Sequence, residues 1–117
     1  MNVMLVDDAM FMRSVLKKII ESNGHIVIAE ADNGLKALEE YKKTKPDIVF
    51  MDITMPKVDG IEGLKLIREF DREAKIIMCS AMGQKPMIIE ALKNGAKDFI
   101  VKPFAQGRVI QVLINNY

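Results

Sequence analysis

Five short runs of apolar or β-branched residues punctuate the chain, and four of them hand directly over to a polar residue. Val3 to Val6 ends at Asp7-Asp8, Ile48 to Met51 at Asp52, Lys75 to Cys79 at Ser80 and Phe99 to Val101 at Lys102. The fifth, His25 to Ala31, leads into a turn at Asp32-Asn33-Gly34. A continuous apolar run of four or five residues is what a strand buried on both faces requires.

Between these runs the apolar positions recur at helical spacing. Met12, Val15, Leu16, Ile19 and Ile20 mark a helix over Ala9 to Asn23, with Lys17, Lys18 and Glu21 on the far side and Gly24 as the stop. Leu35, Leu38 and Tyr41 predict one face of a second helix, which fades into lysines before Pro46. Ile61, Leu64, Ile67 and Phe70 predict a third, capped by Asp59. Pro86 fits the first turn of a fourth helix carrying Ile88, Ala91 and Leu92 and closed by Gly95, and Val109, Val112 and Leu113 mark the last.

Strands that alternate with helices predict an α/β fold with a parallel sheet covered on both faces, since every crossover returns the chain to the same end of the sheet. All strand exits then share one rim. Asp7, Asp8, Asp52, Ser80 and Lys102 converge there from distant parts of the sequence, at the carboxyl end of the strands, where open α/β sheets bind ligands.

Composition narrows the reading. The 117 residues fit one domain, 1-117, and a net charge of +1 gives no electrostatic reason to expect nucleic acid or an anionic membrane surface. No basic leader or long apolar stretch opens the chain, so neither a signal peptide nor membrane insertion is expected, and the default location is the cytoplasm. Cys79, the one cysteine, falls in an apolar run and is expected to be a core residue. His25, the one histidine, starts a strand far from the rim and is expected to be structural or exposed. Of nine methionines, those in strands, including Met4, Met51 and Met78, are expected to fill the core, which leaves Met55, Met82 and Met87 for partner contact.

Three carboxylates at one rim must either carry shifted, coupled pKa values or recruit a cation. Hard oxygen ligands in an open site suit Mg²⁺, which keeps waters and shares phosphate oxygens. Lys102 and Ser80 add a positive charge and a hydroxyl, the groups that neutralise and orient a phosphoryl group, and Asp52 becomes a candidate nucleophile for an aspartyl phosphate.

The stretches VDDAMFMR, MDITMPKVDG, SAMG and DFIVKPF resemble, in that order, the receiver domains of two-component signalling, with the single-domain chemotaxis receivers as the nearest likeness. The resemblance implies a doubly wound, flavodoxin-like sheet in the order 2-1-3-4-5. It implies Asp52 as phosphoacceptor, Mg²⁺ bound by Asp8, Asp52 and the backbone carbonyl of Thr54 with Asp7 acting through a water, Ser80 and Lys102 on the phosphoryl group, and a cis bond at Lys102-Pro103. A histidine kinase would donate the phosphoryl group and the domain would catalyse its transfer and hydrolysis. The output would be a changed surface on the fourth helix, fifth strand and fifth helix, read by a downstream protein such as the flagellar motor switch or by an effector domain, with the protein a monomer. Phe99 stands where many receivers place a switching tyrosine, and Thr54 and Met82 replace amide or acidic groups of many relatives.

Two other classes compete. A Mg²⁺-dependent aspartate-nucleophile phosphohydrolase needs an acid two residues beyond the nucleophile, where Thr54 stands, and a cap for which the chain has no room. A flavodoxin needs a phosphate-cradling loop after the first strand, and that loop is acidic.

Overall fold

The computed structural model describes residues 1–117. Strands β1 (Asn2–Val6), β2 (Ile26–Ala31), β3 (Ile48–Asp52), β4 (Ile76–Ser80) and β5 (Asp98–Val101) alternate with helices α1 (Met10–Ser22), α2 (Gly34–Thr44), α3 (Gly60–Phe70), α4 (Lys85–Lys93) and α5 (Gln106–Asn115). The strands form one parallel sheet in the order β2-β1-β3-β4-β5, as the resemblance implied.

The apolar runs explain the central strands. Val3 to Val6, Ile48 to Met51 and Ile76 to Cys79 are buried throughout, and alternate residues serve opposite faces. Met4, Val6, Val49, Met51, Ile76 and Met78 meet Ala37, Tyr41, Leu64, Ile67 and Ala91 of α2, α3 and α4. Val3, Leu5, Ile48, Phe50, Ile77 and Cys79 meet Leu16, Ile20, Val109, Val112 and Leu113 of α1 and α5. Cys79 is a free core residue, and burial pushes its thiol well above the ordinary range.

Three predicted facing residues lie further out than expected. Leu35 is 49% exposed, and the inner line of α2 is Gly34, Ala37 and Tyr41, with Leu38 beside it. The cause is close helix contact: a Cβ on Gly34 would stand 2.7 Å from the Asp59 carbonyl oxygen and 3.0 Å from the Gly63 Cα. With Gly34 pressed inward, the next residue turns about 100° away. Phe70 lies half outside at the end of α3, edge-on to Tyr41 at 6.3 Å between ring centroids and beneath the Lys42 ammonium. Leu92 is exposed because α4 buries only Ala91, with Ile88 partly covered.

Caps set the helix starts. Asn33 accepts from the amides of Leu35 and Lys36, and Asp59, as predicted, accepts from that of Glu62. Lys102-Pro103 is cis. No helix is long and apolar enough to cross a membrane.

Candidate functional site

Sheet register brings the acidic exits together. Val6 of β1 pairs with Met51 of β3, so Asp7 and Asp52 are the next residues on adjacent strands. Asp52 pairs with Cys79, which places Ser80 one step beyond, and Ser80 pairs with Val101, which delivers Lys102. The last link is fixed by the Lys102 amide donating to the Ser80 carbonyl at 2.8 Å.

Asp7 and Asp52 are buried and Asp8 is exposed. One oxygen from each of the three lies within 4.8 Å of the others. The Ala9 amide donates to Asp7 Oδ1 at 2.9 Å and orients that carboxylate. Lys102 Nζ stands 2.8 Å from Asp7 Oδ2 and 3.2 Å from Asp52 Oδ1. The Ser80 hydroxyl is fully buried and has no hydrogen-bond partner.

Burial raises the Asp52 carboxyl from its ordinary 3.8 to about 6; the charge of Asp7 adds to the rise, and Lys102 holds it back. For Lys102, burial opposes the charged form, but its bonds to Asp7 and Asp52 outweigh that and raise its pKa. One ammonium among three carboxylates leaves a surplus of negative charge. These are hard oxygen donors with a short spread, which fits a divalent cation such as Mg²⁺. The unpartnered Ser80 hydroxyl is what a site built to receive a further oxygen-rich group would hold.

The other predicted residues are placed as follows. Thr54 is exposed beyond Asp52, its hydroxyl accepting from Gln84 Nε2 at 2.8 Å. Phe99 is half-buried and packs against the core cluster beneath α4. Pro103 follows the cis bond after Lys102. Met82 is exposed and Met87 partly so, whereas Met55 is buried in the core beside Ile53 and is not available for partner contact. His25 lies at the other end of the sheet, its Nδ1 2.8 Å from the amino group of Met1.

Sequence reasoning missed three features. Arg13 donates to the Asp7 carbonyl and pairs with Glu30 at 2.9 Å, tying α1 to the rim. Met10 and Phe11, on the first turn of α1 just after Asp8, are largely exposed apolar residues. Gln84 bonds both the Ala81 amide and Thr54. Position in the chain gives no sign of the first or last of these, because each depends on contacts between elements. Met10 and Phe11 fall off the buried stripe of α1 and were legible as exposed.

Comparison with known proteins agrees with this geometry. Residues 3–114 match the model of the response regulator receiver domain. The chemotaxis protein CheY of Thermotoga maritima is 60% identical over 112 residues, which span 96% of this chain and 93% of that protein. CheY of Bacillus subtilis is 56% identical over 112 residues, with the same coverage. Among solved structures, the CheX-CheY-BeF3-Mg complex of Borrelia burgdorferi superposes with a TM-score of 0.93 at 43% identity, covering 97% of this chain and 87% of that one.

Proposed function

The chain belongs to the response regulator receiver domain family and is a CheY-like phosphoacceptor of chemotaxis two-component signalling, and from that premise we propose how its residues divide the work. Asp52 is the acceptor. Its carboxylate oxygen attacks phosphorus on the phosphohistidine of a partner kinase; the new O–P bond forms as the P–N bond breaks, and the imidazole nitrogen leaves with the electron pair and takes a proton from solvent. Asp7, Asp8, Asp52 and the Thr54 carbonyl would hold Mg²⁺, which supplies positive charge that neutralises the carboxylates and the phosphoryl oxygens. Hydrolysis reverses the bond at Asp52: water attacks phosphorus, the O–P bond to the carboxylate breaks, and inorganic phosphate departs.

Lys102 and Ser80 receive the phosphoryl oxygens. The ammonium already lies within reach of Asp52, and the buried hydroxyl has a donor proton with nowhere else to go. Charge-assisted bonds of this kind are the strong ones. Moving a two-state protein from mostly inactive to mostly active takes about 5 kcal/mol of differential interaction, which two or three such bonds supply. The signal passes from the Ser80 loop to Phe99 and changes the α4, β5 and α5 surface, which a downstream protein, in the manner of a flagellar motor switch component, reads. The Borrelia relative was solved with the partner CheX.

The observation that carries this reading is the convergence of three carboxylates, one ammonium and one unpartnered hydroxyl on a single strand exit. Incubation with a small acyl phosphate or phosphoramidate and Mg²⁺ is expected to add one phosphoryl mass, at Asp52, and Asp52→Asn to abolish it. An adduct of equal yield in Asp52→Asn would overturn the assignment. Multiple-turnover release of phosphate from ordinary esters would favour a phosphohydrolase instead.

A further inference from the structure

Gln84 precedes the first residue of α4, a position whose side chain usually serves the first amides of its own helix, yet it makes no such bond. Its carboxamide turns away. Oε1 accepts from the Ala81 amide at 2.7 Å, and Nε2 donates to the Thr54 hydroxyl at 2.8 Å, thirty residues away on the loop after β3. Met87 Sδ lies 3.7 Å from the same nitrogen.

The two residues it joins are not arbitrary. Ala81 follows Ser80 directly, and Thr54 lies two residues beyond Asp52. One side chain thus clips the loop that follows Asp52 to the loop that follows the neighbouring strand β4. In the clipped arrangement the Ser80 hydroxyl is buried without a partner, so this loop conformation is not the one that satisfies it. Any movement that brings Ser80 to a group on Asp52 must carry Ala81 with it and strain or break the Gln84 bonds.

The loop is built to move once released. Gly83, between the clip and its anchor, takes a left-handed φ of +88° with nothing within 4 Å of where a Cβ would stand. Ala81, Met82 and Gly83 are all exposed.

We propose that Gln84 is a positioning residue that holds the Ser80 loop in its resting place by bonding Ala81 and Thr54 at once, so that releasing this clip is part of the cost of taking a phosphoryl group at Asp52. The proposal rests on Asp52 being the acceptor. Losing the clip removes an opposing interaction from the resting state only, so it strengthens binding of whatever favours the moved loop. Two neutral hydrogen bonds of ordinary net strength correspond to a gain of about 5-fold at the low end and about 150-fold at the high end.

The test is titration of beryllofluoride with Mg²⁺ into the wild type, Gln84→Ala, Thr54→Val and the double variant, read by fluorine NMR of the bound species. Gln84→Ala is expected to bind several-fold more tightly than the wild type. Thr54→Val, which keeps its backbone carbonyl but removes the hydroxyl, is expected to show part of that gain, and the double variant no more than Gln84→Ala alone. A role confined to starting α4 predicts additive effects and no gain from Thr54→Val. Equal or weaker binding by Gln84→Ala, with a melting temperature near that of the wild type, overturns the clip. Should Gln84→Ala fail to fold, an unchanged affinity in Thr54→Val overturns it. A wild type that takes no beryllofluoride sinks the acceptor reading itself, a result distinguishable from failure of the clip.

Discussion

Lys102 lies 95 residues from Asp7 in sequence, yet its ammonium stands 2.8 Å from Asp7 Oδ2, nearer than the 3.2 Å to Asp52. The lysine therefore leans on Asp7 while Asp52 keeps the longer contact. Removing it leaves two buried carboxylates with no cation between them, the costly way to break such a pair. Lys102→Met is expected to lower stability by about 1–3 kcal/mol in EDTA. Asp7→Asn in the same background should restore part of the loss. Urea melts of the single and double variants check this; an additive result would mean that the contact contributes nothing.

Asp52 makes stability depend on pH in a defined direction. Its pKa is raised from 3.8 to about 6, first by burial and then by Asp7, so the folded protein holds that proton more tightly than the unfolded chain. Between those values the unfolded chain loses the proton first, and the contribution of Asp52 to stability falls as pH rises from about 4 to about 6, then stays flat. Asp52→Asn is expected to stabilise the metal-free fold at pH 7 by on the order of 1–2 kcal/mol and to lose that advantage below about pH 4. Paired melts across this range in EDTA decide it, and a gain independent of pH would assign the effect to something other than the carboxylate.

Mg²⁺ is expected to raise the melting temperature by several degrees, because ligand at 100 times its dissociation constant adds about 2.7 kcal/mol. Asp7→Ala should stabilise the fold modestly in EDTA and narrow the response to the ion. Calcium-free scans with increasing MgCl₂ measure both. A wild type that ignores Mg²⁺ at millimolar concentration would remove the cation from the site.

Phe99 is half-buried against the core beneath α4, and its carbonyl accepts from Arg108 of α5 at 2.8 Å. It has no hydroxyl, so any part in switching must come from packing. Phe99→Ala is expected to leave phosphorylation by a small donor within about twofold while reducing the amide shifts that beryllofluoride causes in α4 and α5. Shifts confined to the rim in the wild type itself would argue against the coupling.

The fold was legible because its signals are local. Apolar runs such as Ile48 to Met51 mark strands, Asp59 and Pro86 mark helix starts, and the strand exits follow from the parallel topology that alternation imposes. The convergence of Asp7, Asp8, Asp52, Ser80 and Lys102 at one rim was legible for the same reason, since all are strand-end residues. What escaped depends on distances between elements. Leu35 fell outside the core because Gly34 packs against α3, which no property of α2 alone reveals. Met55 looked like a loop residue yet is buried, because the chain after Asp52 folds back over the core before reaching Pro56. Gln84 and Arg13 act by reaching across loops, and the sequence carries no period for that.

Gly60 separates what is fixed at this rim from what is free. A Cβ there would fall 1.9 Å from the Asp52 carbonyl oxygen, so the start of α3 lies flat against the backbone of Asp52 itself, and its amide donates to the Ile53 carbonyl at 2.8 Å. Nothing larger than hydrogen fits, and β3 has no room to yield in that direction. In the loop between β4 and α4, Gly83 stands in open space. Under the proposed function, a charge arriving on Asp52 meets close-packed backbone at Gly60 and open space at Gly83, so the loop before α4 has room to move where the start of α3 has none.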